Sequence, residues 1–140
     1  MFLLDTDLLS ELRKPKRDAN VMAWFDAAMP SDMFVSIVSV VEIERGIERK
    51  RREDPTFAAE LGGWLDALLR LYGERVLPLT LNIARRWGRL SAQIGNKNID
   101  LAIAATALEH GLAVVTRNVR HYTPTGVLIV NPFEPQTGRR

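Results

Sequence analysis

Met1-Phe2-Leu3-Leu4-Asp5-Thr6-Asp7 opens the chain, and its reading decides the fold. A short apolar run with no polar break reads as a strand buried on both faces, the signature of a parallel sheet. The run stops at two acids separated by a threonine. Open parallel sheets present reactive groups where their strands end, at the carboxyl edge. Asp5 is therefore expected at the floor of a cleft. The functional question is which other carboxylates reach the same place.

Outward from this strand, helical and strand-like segments alternate. Thr6 or Asp7 can cap a helix through Leu8, Leu9 and Leu12 that ends near Pro15. Val21, Trp24, Phe25 and Ala28 mark a second helix, and Pro30-Ser31-Asp32 a turn. Phe34 to Val38 is β-branched and reads as the second strand. Ser39 then opens a helix carrying Val40, Val41, Ile43 and Ile47. Asp54-Pro55 begins its hairpin partner, with Phe57, Leu61, Trp64, Leu65, Leu68 and Leu71 as the buried stripe. Arg75 to Leu79 is a short strand whose proline suits an edge or an end. Thr80 caps a helix with Ile83, Ala84, Trp87, Leu90 and Ile94 on its apolar face. Ile99 to His110 is an alanine-rich helix stopped by Gly111. Leu112–Thr116 and Val127–Val130 are the remaining strands, separated by a turn over Arg117–Tyr122. The pattern predicts a three-layer α/β/α sandwich around a mostly parallel sheet of four to five strands.

The 140 residues suit one domain with a real core. Zero cysteines exclude a disulfide scaffold, a thiolate metal site and a thiol nucleophile. The first apolar run has no basic stretch ahead of it and is broken by Asp5, unlike a signal peptide. No apolar stretch approaches membrane-spanning length, and a reducing cytoplasm is the expected location. Net charge is only +2, but its distribution is uneven. Arg45, Arg49, Lys50, Arg51 and Arg52 form a dense basic segment, and Arg117 with Arg120 a smaller one. Such a segment is either a solvated helix end or a surface that tracks phosphates.

Asp5, Glu42 and Asp100 share a position type, each at a strand end or a helix start. Each also has a purely structural explanation. Asp5 can make an Asx turn, Ser39-Val40-Val41-Glu42 fits a capping box, and Asp100 can stabilise a helix N-terminus. Capping does not require three acids to converge. Two carboxylates about 5 Å apart repel by roughly 3 kcal/mol at an effective dielectric near 20. A shared divalent ion would offset that repulsion, and all-oxygen ligation favours magnesium or manganese. Such an ion can activate water against a phosphodiester. Thr6 and Thr116 are placed to position a carboxylate or a water, Asp7 to flank the cleft, and Ser39 to orient Glu42.

Five stretches resemble the PIN-domain ribonucleases, and among them the VapC toxins of bacterial type II toxin–antitoxin systems. They are Met1 to Asp7, Val41-Glu42-Ile43-Glu44-Arg45-Gly46, Asp100 to Ala107, Val115-Thr116-Arg117-Asn118 and Val130-Asn131-Pro132-Phe133. The resemblance implies a PIN domain over residues 1–133, with 134–140 as a flexible tail. It implies an endoribonuclease toxin dependent on Mg2+ or Mn2+, with Asp5, Glu42 and Asp100 as catalytic metal ligands. It further implies products with a 3′-hydroxyl and a 5′-phosphate, a homodimer, a possible higher toxin–antitoxin complex, and a cognate VapB-like antitoxin whose tail covers the acidic cleft. Many members carry a further Asp at the place of Asn118, and others an acid at the place of His121. Asn118 can still offer a carbonyl to the metal or a water. His121 can contact phosphate or pack beside Tyr122. Arg45, Arg49 and Arg117 are candidates for contacting substrate phosphates.

Two rivals remain open at this point. Asp5-Thr6-Asp7 after an apolar strand also resembles the opening motif of haloacid-dehalogenase-like phosphatases, with Asp5 as nucleophile and Asp7 as acid/base. Leu9 stands where that motif has Thr or Val. Alternatively the acids are only caps, and the basic segment makes a non-catalytic RNA-binding module.

Overall fold

The computed structural model describes residues 1–135. Its centre is a five-stranded sheet: β1 (Phe2–Leu4), β2 (Met33–Ser36), β3 (Val76–Leu77), β4 (Ala113–Val115) and β5 (Ile129–Val130). The strands lie in the order β3-β2-β1-β4-β5, and every adjacent pair is parallel. β1 sits in the middle, with Leu4 opposite Val35 on one side and Val115 on the other. Asp5, Ser36 and Thr116 therefore follow at one edge, side by side.

Seven α-helices cover the two faces among the described residues: α1 (Thr6–Arg13), α2 (Ala19–Ala27), α3 (Ile37–Glu53), α4 (Pro55–Tyr72), α5 (Leu81–Ile94), α6 (Asp100–His110) and α7 (Val119–Tyr122). Leu4, Val35 and Val115 point to one core with Leu8, Val21, Ile47 and Leu65. Leu3 and Val114 point to the other with Ile103, Ala104, Tyr122 and Val127. Successive strand residues are thus buried on opposite faces, which is why the central strands show no polar alternation. α6 runs through the second core with Leu101 to Ala107 continuously buried. Its alanines let it approach α5 closely. This is the α/β/α sandwich expected.

Several local expectations shift. Asp5 itself caps α1, its carboxylate accepting from the Thr6 backbone N–H at 2.8 Å, where Thr6 or Asp7 was expected. β2 ends at Ser36, whose hydroxyl accepts from the Val38 N–H and caps α3. The capping box from Ser39 to Glu42 therefore does not form, because both residues already lie inside the helix. Leu71 is 72% exposed and Val41 47% exposed, so neither belongs to its helix's buried stripe. Asp54 and Thr80 cap α4 and α5 as the sequence indicates, and Gly111 ends α6 in the left-handed conformation with φ 66°. No described helix is long and apolar enough to cross a membrane. Of the expected C-terminal tail, residues 136–140 lie outside the described residues.

Candidate active site

Asp5 sits where the central strand stops, only 2% exposed. Its Oδ1 accepts from the Thr6 N–H at 2.8 Å and the Tyr122 hydroxyl at 2.9 Å. Its Oδ2 accepts from the Thr116 hydroxyl at 2.7 Å. Burial nevertheless dominates and, with Asp100 and Asp7 nearby, pushes the Asp5 carboxyl from its ordinary 3.8 up to about 6. Tyr122 is buried against the same acids and is held above the ordinary tyrosine range, so it remains a donor. Nothing in the sequence pattern marked this tyrosine as part of the site.

Glu42 enters the same edge from the first turns of α3. The Thr6 hydroxyl donates to its Oε1 at 2.6 Å and lies 2.8 Å from the Ser39 hydroxyl. Thr6 has one proton, which goes to Glu42, so Ser39 donates to Thr6. Ser39 thus orients Glu42 through Thr6. Partial burial raises the Glu42 carboxyl, as do Asp100 and Asp7, while the Thr6 bond and Arg45 oppose them. Asp100 opens α6, with its Oδ2 3.0 Å from His121 Nδ1 and its side chain 15% exposed. His121 is therefore engaged by an acid of the cleft, where phosphate or Tyr122 was expected. The Asn118 amide donates to Asp7 Oδ2, and the Asn118 backbone N–H donates to the Thr116 hydroxyl at 2.9 Å.

Four acids thus gather at one sheet edge: beyond the effect of burial, Asp5 and Glu42 are each raised further by both Asp100 and Asp7. The donor set is all oxygen, the chemistry of a hard divalent cation such as magnesium or manganese. Asp5 has used three of roughly four lone-pair positions, which leaves one for an ion. Among the described residues, no three Asp, Glu or His side chains close around one point tightly enough to ligate an ion as they stand. Thr6, His121 and Asn118 hold three of the carboxylates instead. The residues therefore fit such an ion in charge and chemistry, and ligation requires Glu42 or Asp100 to turn from its present partner.

The basic residues are less uniform than their sequence clustering implies. Arg45 and Arg49 lie on the solvent side of α3, interleaved with Glu48 and Glu53. Arg51 is paired with Glu48 at 2.8 Å. Arg117 stacks over the Phe133 ring at 3.8 Å and borders a hollow shared with Asp7, Ser10 and Lys14.

A parallel sandwich carrying acids at its carboxyl edge, in this strand order, defines a PIN-type domain. The chain belongs to the PIN domain family, whose model matches residues 2–125, and within it to the VapC-like group. It is 38% identical over 144 residues to the VapC ribonuclease Y4jK of Sinorhizobium fredii, covering 96% of this chain and 99% of that one. It also superposes on the crystal structure of FitAcB from Neisseria gonorrhoeae with a TM-score of 0.75 and 27% identity, over 96% of this chain and 99% of that one. A toxin–antitoxin complex from Klebsiella pneumoniae matches with a TM-score of 0.65 and 25% identity, again over 96% and 99%.

Proposed function

We propose that this chain is the toxin of a type II toxin–antitoxin pair and acts as a Mg2+- or Mn2+-dependent endoribonuclease. The observation that carries the reading is geometric: hydrogen bonds through Thr6, Thr116, Tyr122 and His121 hold Asp5, Glu42 and Asp100 at the end of the central strands, where burial first, and Asp100 and Asp7 after it, raise the Asp5 and Glu42 carboxyls. Asp5 and Glu42 are held by hydroxyl and backbone N–H donors, and a divalent ion would offset the repulsion among such neighbouring carboxylates. Asp5, Glu42 and Asp100 are the ligands proposed. A bound ion would supply a water of lowered pKa and charge stabilisation for the phosphodiester being hydrolysed. The chain's own residues prepare that site. Thr116 and Tyr122 fix Asp5, Ser39 and Thr6 aim Glu42, His121 holds Asp100, and Asn118 holds Asp7. The expected products carry a 3′-hydroxyl and a 5′-phosphate.

Relatives supply the biological setting: one is named a ribonuclease, and one solved structure is a toxin–antitoxin complex. We assign this chain a protein antitoxin on that basis, and the homodimer is the assembly that the family resemblance implies. The phosphatase reading is disfavoured by Asp5, whose two oxygens are occupied by three donors in a 2% exposed position unsuited to a nucleophile. The deciding experiment incubates labelled RNA with wild type and Asp5→Asn, with and without Mg2+, beside a chromogenic phosphatase substrate. RNA cut only by wild type with metal, with the phosphatase substrate intact, is the expected result. RNA left whole by folded, antitoxin-free wild type in Mg2+ and Mn2+ would defeat the reading.

A further inference from the structure

α1 and α3 both start at the carboxyl edge and lie side by side, joined near their starts by the hydrogen bond from Thr6, the first residue of α1, to Glu42 in the second turn of α3. A groove of about 210 Å³ runs between them. Helical spacing orders its lining: Thr6, Ser10 and Arg13 along α1, and Glu42, Gly46 and Lys50 along α3. The acid is at one end and the two cations are at the other, eight residues along α3, or about 12 Å at 1.5 Å per residue. The middle is small on both sides, because Ser10 faces Gly46. A Cβ at Gly46 would meet nothing within 4 Å, so the missing side chain leaves open space.

The cationic end is built rather than incidental. Arg13 and Lys50 both sit over the ring of Phe57, at 5.5 Å and 5.9 Å from its centroid. One aromatic at the start of α4 thus holds two cations from different helices at the same mouth. Lys50 also reaches Glu53 at 3.5 Å, an exposed contact of little strength. Leu61 and Trp64 supply an apolar side wall. The space corresponds to about seven water volumes, enough for an extended backbone unit and too little for a folded element.

We propose that this groove binds the single-stranded RNA backbone flanking the scissile bond. Arg13 and Lys50 clamp a phosphate beyond the one at the acids, and the sugar or base edge lies against Trp64. This rests on the nuclease reading and adds to it the path of the strand. Charge complementarity selects the occupant: two cations on a common support, beside an edge whose acids would face the scissile phosphate through a cation, fit a polyanion threaded lengthwise.

The test is fluorescence anisotropy with a short fluorescein-labelled single-stranded RNA of mixed sequence, in EDTA so that nothing is cut, across a salt series. Arg13→Ala and Lys50→Ala are each expected to weaken binding about two- to fivefold and to flatten the log Kd against log salt slope by about 0.7. Gly46→Leu should weaken binding with net charge unchanged, and a thermal melt confirms its fold. Arg85→Ala, on α5 across the sheet, should bind as wild type. Groove variants that bind as tightly as wild type would overturn the proposal, as would an equal loss in Arg85→Ala. A groove that takes a peptide of the antitoxin instead would show as that first outcome, with Gly46→Leu blocking the protein complex. If those variants bind normally while Asp5→Asn still abolishes cleavage, only the strand path fails. Wild type that neither binds nor cuts RNA would remove both readings.

Discussion

Asp5 concentrates the chemistry of the site in one side chain. It is the cap of α1, the end of the central strand, and the acid most displaced from its ordinary behaviour. Because its folded pKa is raised from 3.8 to about 6, its contribution to stability is full below the unfolded value. That contribution is lost as pH rises through about 6. Tyr122 opposes this loss by donating to the charged form. Tyr122→Phe removes that donor and leaves the ring buried in the same place. The expected destabilisation is about 1–3 kcal/mol near pH 7.5, where Asp5 is ionised, and clearly smaller near pH 4, where it is protonated. Urea unfolding of both proteins at the two pH values measures it. A loss equal at both would mean that the hydroxyl does not act through the Asp5 charge.

At the scale of elements, most of the fold was legible because the strongest patterns are those with a single physical cause. Leu3-Leu4 and Val114-Val115 have no polar alternation because both faces of their strands are covered. Asp54-Pro55 and Thr80 announce α4 and α5 by local hydrogen bonding alone. What sequence could not give was tertiary choice. Ser36 and Ser39 are equally good caps, and the end of β2 against Leu77 of β3 selects Ser36. Ala84 carries the same helical period as Ile83 and Trp87, yet it faces solvent, while every residue from Leu101 to Ala107 is buried. The sequence put Asp5 and Asp100 at a strand end and a helix start, where they lie, while Glu42 sits a turn further into α3 than its sequence position suggests. Tyr122 was not readable, because its donor role depends on α7 folding back over β1. The contrast between the alanines gives a test of packing. Ala104→Leu should destabilise by about 1–3 kcal/mol through overpacking, and Ala84→Leu should stay within about 0.5 kcal/mol. Equal effects on the denaturation midpoint would contradict the placement of α6 inside the second core.

At the scale of the whole molecule, the acids at the sheet edge make stability depend on pH. Asp5 and Glu42 are both raised, so metal-free protein loses stability as pH climbs out of the carboxylate range. For Asp5 alone the loss by neutral pH is about 3 kcal/mol. A cation that binds only the folded chain acts in the opposite direction. At a concentration one hundred times its dissociation constant it would add about 2.7 kcal/mol, or roughly 8–10 °C in Tm for a domain of this size. Wild type in EDTA should therefore melt lower near pH 7.5 than near pH 5, and Mn2+ or Mg2+ should raise the neutral-pH melt. Asp5→Asn should melt higher than wild type in EDTA, because the buried charge is gone. Its neutral amide keeps a carbonyl acceptor, and the Tyr122 and Thr116 hydroxyls can each turn to accept from the NH2. The same variant, with Asp100→Asn beside it, should gain much less from metal. Calcium, an oxygen-loving ion of larger radius, separates specific ligation from screening. If calcium and an equal ionic strength of sodium chloride raise all three melts alike, the acids share an edge without sharing an ion.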